Sequence, residues 1–263
     1  MKGLAMISKE LIRRNFSNVA ANYDEHAVIQ KKSGCELVGQ LRKDKNNYGA
    51  ILDIGTGTGG LLRDLSLVCR PALICGLDIS SNMLIKARAS EKSSFFIQAD
   101  AENIPFKKNT FDLVVSNLAY QWLMDLDSAF IQLAGILKER GMFYFTSFGR
   151  RTLSELRECL KSVKEASDYN IFPAKEAMHS KLKNAGFANI KIISKIEKEF
   201  FVDSFSLIRW LKYSGANRIG VRFNGLEARG VLKEMDKLYL EKYPAGGGVF
   251  ASFERYIVKA EKR

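Results

Sequence analysis

The sequence predicts an α/β protein built on a doubly wound, mostly parallel sheet with an antiparallel final strand. Three observations support this. Short β-rich runs alternate with amphipathic stretches from residue 50 onward. The runs are nearly continuous in apolar residues, as strands must be when helices cover both faces of a sheet. The first run ends in a glycine-rich turn that opens a helix.

Taken in order, residues 1–45 read as a basic helical cap. The strands AILDIG (50–55), ALICGLDI (72–79), SFFIQAD (94–100), FDLVVSN (111–117) and GMFYFTSF (141–148) follow, with helical stretches such as LLRDLSLV and SNMLIKARA between them. Thr152 and Glu155 then form the T-x-x-E pattern of a capping box. Leu153, Leu156, Leu160 and Val163 mark the apolar face of the helix that pattern opens, with Arg157, Lys161 and Lys164 on another. Pro173 starts a further helix that Gly186 ends. NIKIISKIEKEFF (189–201) and GVFASFERYIVKA (248–260) alternate as strands do, with helical stretches over roughly 203–216 and 226–241 between them. The expected plan is one domain: a cap (1–45), a cofactor-binding core (46–201), a helical insertion or lid (202–247) and a final strand (248–263).

Composition narrows the function. At 263 residues, 46% hydrophobic and 27% charged, the chain describes an ordinary globular domain with a full core. No segment reads as a signal peptide or a membrane span. Cys35, Cys69, Cys75 and Cys159 form no C-x-x-C pair, and with only two histidines a metal site is not expected. The cysteines fit a reduced, cytoplasmic protein. The charge of +12, from 41 basic and 29 acidic residues, favours an anionic partner, either a nucleic acid or an acidic carrier protein.

"ILDIGTGTGG" places Gly55, Gly57, Gly59 and Gly60 between strand and helix, a spacing that fits dinucleotide-binding turns as well as methyltransferases. Three acids decide between them. Asp53 precedes the first glycine, where it would take an ammonium group and repel a pyrophosphate. Asp78 ends the second strand, where a carboxylate can accept both hydroxyls of a ribose, and Asp100 ends the third, beside Ala101, suited to an adenine amino group. Ammonium, ribose and adenine without phosphate describe S-adenosylmethionine. The block 50–148 thus resembles the Rossmann-like S-adenosylmethionine-dependent methyltransferases. That resemblance implies a cofactor set of Asp53, Gly55, Thr56, Gly57, Gly59, Asp78, Ile79, Met83, Asp100 and Ala101. Asn117, Leu118 and Gln121 are expected to line the methyl-donor end.

The stretch "SNLAYQWLMDLDSAF" has an Asn-x-x-Tyr order similar to the Asn-Pro-Pro-Tyr loop of enzymes that methylate amino groups on bases and proteins. Leu118 and Ala119 replace both prolines, so a flipped base is not expected here. No nucleic-acid-binding module is visible either. The same stretch, with "FTSFGRRTLSEL", the N-terminal "FSNVAANYDEHAVIQ", the Arg-x-Leu-Lys-x-x-Gly-Ala spacing from Arg209 to Ala216 and "YP" at Tyr243-Pro244, resembles the malonyl-acyl-carrier-protein O-methyltransferases of biotin synthesis almost end to end. Two departures are the turn "LKERGMF", which lacks a Pro-Gly, and the glycine-rich "AGGGVFASFE".

The resemblance implies methyl transfer to the free carboxylate of a malonyl thioester on an acidic acyl carrier protein, or on coenzyme A. Its carboxylate clamp would be Arg209 or, second, Lys212, because arginine offers a bidentate fork. Tyr23 is the candidate contact from the cap, and Trp122 a pocket wall. Arg150, Arg151, Arg157 and Lys161, or Arg218, Arg222 and Arg229, are candidates for docking the carrier. A quinone C-methyltransferase or a free-dicarboxylate O-methyltransferase remains an alternative, since fold does not fix substrate.

Overall fold

The computed structural model describes residues 8–44, 47–163, 172–213 and 226–263. Strands β1 (Ala50–Ile54), β2 (Leu73–Asp78), β3 (Phe95–Gln98), β4 (Phe111–Asn117), β5 (Leu137–Phe148), β6 (Phe187–Phe201), the short β7 (Pro244–Ala245) and β8 (Gly248–Lys262) form one sheet. Its order is β3-β2-β1-β4-β5-β8-β6, with β7 paired to β8. The first five are parallel, and β8 runs antiparallel to both neighbours. The chain order reverses between β1 and β4, the crevice where open α/β sheets bind their ligands.

Alternation along the strands feeds two cores. Ile51, Leu113, Val115 and Tyr144 pack beneath Leu37, Val38 and Leu41 of α3 (Val28–Asp44) and Leu61, Leu62 and Leu65 of α4 (Gly60–Cys69). Their neighbours Leu52, Ile54, Val114, Phe143 and Phe145 face Phe130 and Leu133 of α6 (Leu126–Ile136) and Met178 and Leu182 of α8 (Lys175–Asn184). Helix α5 (Ser81–Ser90) connects β2 to β3. A third core lies under the insertion, where Leu207 and Leu211 of α9 (Ser204–Tyr213) and Met235 and Tyr239 of α10 (Leu226–Lys242) meet Leu156 and Leu160 of α7 (Ser154–Val163) and Phe253 of β8. That core reaches Leu118 and Phe148, so the insertion sits directly behind the cleft.

Two local expectations need correction. Thr152 and Glu155 form no capping box. The Thr152 hydroxyl donates to the Glu254 carbonyl at 2.9 Å and accepts from the Glu254 N–H at 3.1 Å. Glu155 accepts from the Ser252 N–H at 3.0 Å and from its hydroxyl at 2.5 Å. Both side chains are buried, and they dock α7 on β8. Strand β5 also starts earlier than its apolar run, and the turn without a Pro-Gly becomes an irregularity within it. Pairing with β4 jumps from Phe111–Leu137 to Leu113–Met142, with Arg140 at φ 59°. Gly141 is required there, since a Cβ would lie 2.8 Å from the Lys138 carbonyl oxygen.

Among the described residues no helix is long and apolar enough to cross a membrane, and no cluster of His, Cys, Asp and Glu is arranged to hold a metal. All four cysteines are unpaired.

Candidate functional site

Two adjoining cavities, of about 110 Å³ and 610 Å³, lie over the C-terminal ends of the central strands and share Tyr23, Gln30, Gly55, Gly57 and Asn117 as wall. Gly55 and Gly57 take positive φ values of 73° and 56°. A side chain on Gly55 would lie 2.3 Å from the Ala119 methyl, so the loop after β4 can cross the glycine turn only over a residue without a Cβ. A Cβ on Gly57 would meet nothing within 4 Å, which leaves open the cradle for a ligand.

The three acids divide between the cavities. Asp78, buried at the tip of β2, accepts from the N–H of Gly57 at 2.9 Å and of Ser80 at 2.8 Å. Burial raises its pKa while those N–H groups, with that of Ile79, pull it back. A carboxylate offers about four lone-pair sites, so hydroxyl donors can still be accepted. Asp53 lines the larger cavity with Thr56. Only 1% exposed, it has no hydrogen-bond partner on either oxygen among the described residues. The Thr56 hydroxyl and the Gln30 Oε1 on the same wall are also buried and unpartnered. Four acceptor oxygens on three side chains, with nothing to accept, fit an ammonium-bearing ligand. Burial pushes Asp53 up to about 7; the Thr56 hydroxyl, nearby but short of hydrogen-bond geometry, offsets part of this, and the charge of Asp78 adds to it. Asp100 lines the smaller cavity with Ile79, Met83 and Ala101, and accepts from the Glu102 N–H at 2.9 Å.

The cap closes over this cleft. Helix α1 (Lys9–Val19) spans it: Lys9 pairs with Asp100 at 2.6 Å and with Glu102, while the Ser17 and Ser80 hydroxyls lie 2.9 Å apart. Phe16 meets Trp122 edge-on at 5.4 Å and Tyr23 at 6.4 Å. Helix α2 (Tyr23–His26) is tied to the glycine loop by a 2.7 Å bond from the Thr58 hydroxyl to Asp24. Tyr23 is partly exposed, but its hydroxyl end is deep, and burial, then the charge of Asp78, hold its pKa well above the usual phenol range. It is a neutral hydrogen-bonding group at any working pH.

The Asn-Leu-Ala-Tyr-Gln-Trp stretch is a positioned wall. The Asn117 amide donates to the Gln30 carbonyl oxygen at 2.9 Å, and its Oδ1 accepts from the Thr146 hydroxyl at 2.7 Å. Leu118 holds φ 51°, an uncommon conformation for leucine, with its N–H on Thr146. Residues 120–122 form a 3₁₀ turn, and Gln121 Oε1 accepts from the Phe148 N–H at 3.2 Å. The Tyr120 ring stacks on Phe130 in the core at 5.3 Å.

Comparison with known proteins decides what this cleft belongs to. Residues 52–145 match the family described as "Methyltransferase domain". The malonyl-[acyl-carrier protein] O-methyltransferase of Geobacter sulfurreducens is 31% identical, over 94% of this chain and 97% of that protein. That of Gallionella capsiferriformans is 32% identical, over 95% and 89%. This chain belongs to the malonyl-acyl-carrier-protein O-methyltransferases. The fold agrees: a putative methyltransferase from Bacillus halodurans superposes with a TM-score of 0.64 at 18% identity, covering 88% of this chain and 99% of that one.

In this O-methyltransferase the cleft gathers most of the predicted cofactor residues, with Thr56 and Asp53 in the larger cavity and Leu118 and Gln121 in the smaller. Gly59 lines neither. At φ 83° it starts α4, and a Cβ there would lie 3.1 Å from the Ala87 methyl, so it serves helix packing. Arg209 and Lys212, expected as the carboxylate clamp, lie on the exposed side of α9. Helix α9 buries Leu207 and Leu211, which turns Arg209 and Lys212 to the outer face, and neither lines either cavity. Arg157 is committed to the carbonyl oxygens of Arg150, at 2.6 Å, and of Thr152. Arg218, Arg222, the Arg229 side chain and Lys164 lie outside the described residues. Sequence reasoning missed Gln30, Lys9, Phe16 and Glu102. The glutamine was visible in "HAVIQ", but only the fold brings it across to Asn117.

The Asp53 geometry makes a pH prediction. An ammonium needs the ionised carboxylate, and below about 7 the free protein holds that carboxyl protonated. Binding must then expel the proton, so cofactor affinity should rise by up to about tenfold per unit as pH rises towards 7, then level off. Calorimetry across pH 5.5–8 checks this; Asp53→Asn should bind weakly and without the slope.

Proposed function

We propose that this enzyme methylates the free carboxylate of a malonyl thioester on an acyl carrier protein, giving the malonyl methyl ester that primes biotin synthesis. The observation that best supports the cofactor side is the set of three acids at successive strand ends, one with both oxygens unpartnered in a buried wall. S-adenosylmethionine would supply an electrophilic methyl group. Asp53, with Thr56 and Gln30, would hold its ammonium, Asp78 its ribose hydroxyls, and Asp100 beside Ala101 its adenine amino group, with Ile79 and Met83 flanking the base.

The chain's own residues then need only to position and shield. A malonyl carboxylate, with a pKa near 4, is ionised at pH 7, so no side chain has to remove a proton. Among the described residues no histidine lines the cleft. Tyr23 would contact the reacting end from the cap. Asn117, Leu118 and Gln121, each held by a hydrogen bond to the neighbouring backbone or side chain, would fix the wall opposite it. Alignment within about 3–3.5 Å is the main source of rate in such a transfer. Esterification removes a charge that an apolar elongation site would otherwise have to bury.

Methyl transfer from labelled S-adenosylmethionine to malonyl-acyl carrier protein tests this, run beside acetyl-acyl carrier protein, malonyl-CoA and free malonate. Label should appear on malonyl thioesters and leave with mild base. Equal labelling of free malonate, or none while the cofactor binds, would overturn the reading.

A further inference from the structure

We propose that the outer face of α9 is where the acidic carrier protein docks, and that Arg209 and Lys212 act there as its electrostatic contacts. This rests on the malonyl-carrier reading above.

Helix α9, SFSLIRWLKY, contains no acidic residue. Burial of Leu207 and Leu211 fixes its rotation, and Arg209, Lys212 and Tyr213 share the solvent side at i, i+3 and i+4. Among the described residues neither Arg209 nor Lys212 pairs with an acid. Other described cations lack an acidic partner too, Lys43 and Lys86 among them, so it is position that distinguishes these two from the cations already paired. Lys32 and Lys195 pair with Glu197 and Glu36, Lys138 with Asp112, Lys181 with Asp127, Lys242 with Glu158 and Lys259 with Asp44. Arg157 is spent on its own loop.

Position gives this charge a use. Tyr213 stacks on His26 with ring centroids 5.0 Å apart and planes 20° from parallel. His26 closes the short helix that begins with Tyr23, which lines both cavities. The basic face of α9 is therefore packed against the rim of the cleft. Lys31, exposed on the neighbouring turn of α3 with its ammonium on the Asp24 carbonyl at 2.7 Å, adds a third cation to that rim. The same elements carry two exposed apolar groups, Tyr213 of α9 at 45% and Val28 of α3 at 56%. A basic helix face with exposed apolar groups beside it fits an acidic helical protein presenting a few apolar residues. An extended thioester arm from a carrier seated there would enter beside Tyr23. The charge supplies encounter rate and orientation, the usual gain from complementary fields.

The test measures binding apart from turnover. Acyl carrier protein without an acyl group is titrated into the full-length enzyme, its Arg209→Glu/Lys212→Glu variant and a Lys43→Glu control, by fluorescence anisotropy at 25 and 250 mM salt. Lys43 is exposed near the far end of α3. The wild type and control should bind alike and weaken with salt. The double variant should lose about tenfold or more at low salt and most of the salt dependence. Its kcat at saturating malonyl carrier should stay unchanged while kcat/KM falls. Undiminished carrier affinity in a folded double variant overturns the proposal, as does an equal loss in the control or no binding by the wild type. Binding by the wild type without methylation of any malonyl thioester would instead sink the functional reading and leave the docking face standing.

Discussion

Asp78→Ala should weaken S-adenosylmethionine binding by a hundredfold or more while the protein stays folded. A hydrogen bond to a charged group contributes about 1.5–3 kcal/mol. Loss of two to the ribose hydroxyls then corresponds to roughly two to four powers of ten in affinity. The structure adds a second route to the same loss. The carboxylate also gathers the Gly57 and Ser80 N–H groups. Its removal frees the glycine turn and the start of α5, where Ser80 caps Met83 at 3.3 Å. Asp78→Asn keeps an acceptor oxygen and should fall between the two. Isothermal titration of each variant, with circular dichroism to check the fold, separates these outcomes; an unchanged dissociation constant would remove Asp78 from the ribose.

The sheet and the cofactor end were legible in the sequence because both follow from short-range rules. Nearly continuous apolar runs locate β1 to β4 almost to the residue, and the acids at their ends need only the parallel order to converge. What was not legible depends on which side chain the fold brings opposite. Thr152 and Glu155 satisfy a local capping rule, yet β8 lies close enough to offer buried backbone partners, and those win. Arg209 carries the right chemistry for a clamp, but the rotation of α9 is set by what Leu207 and Leu211 bury. Gln30 and Lys9 act on Asn117 and Asp100 across 87 and 91 residues of chain, a pairing no periodicity encodes.

The long-range attachment of the cap has a single most vulnerable point. Arg255, on β8, is 1% exposed and lies between two glutamates, with Glu36 of α3 at 3.2 Å and Glu197 of β6 at 2.7 Å. Lys195 of β6 also reaches Glu36, and Lys32 of α3 reaches Glu197, so each element gives a cation to the other's anion. Burial would raise the pKa of Glu197, but Lys32 and Arg255 more than offset it and hold it below the usual range. Its contribution is therefore complete above about pH 4.3, the unfolded value, and is lost as pH falls through the depressed folded value. Arg255→Ala should destabilise the protein by about 3–5 kcal/mol, since it leaves two partly buried carboxylates short of their counter-charge. In a chain of this size that lowers Tm by roughly ten degrees. The same α3 carries Gln30, whose carbonyl holds Asn117, and Gly34, where a Cβ would stand 3.4 Å from the Asn117 amide. Cofactor affinity of Arg255→Ala, measured well below its new Tm, should thus fall as well. Arg255→Met combined with Glu36→Gln and Glu197→Gln removes the buried charge and should recover most of the stability. If Arg255→Ala melts with the wild type, the network is not what holds α3 to the sheet, and the apolar contacts of Leu37, Val38 and Leu41 carry that attachment alone.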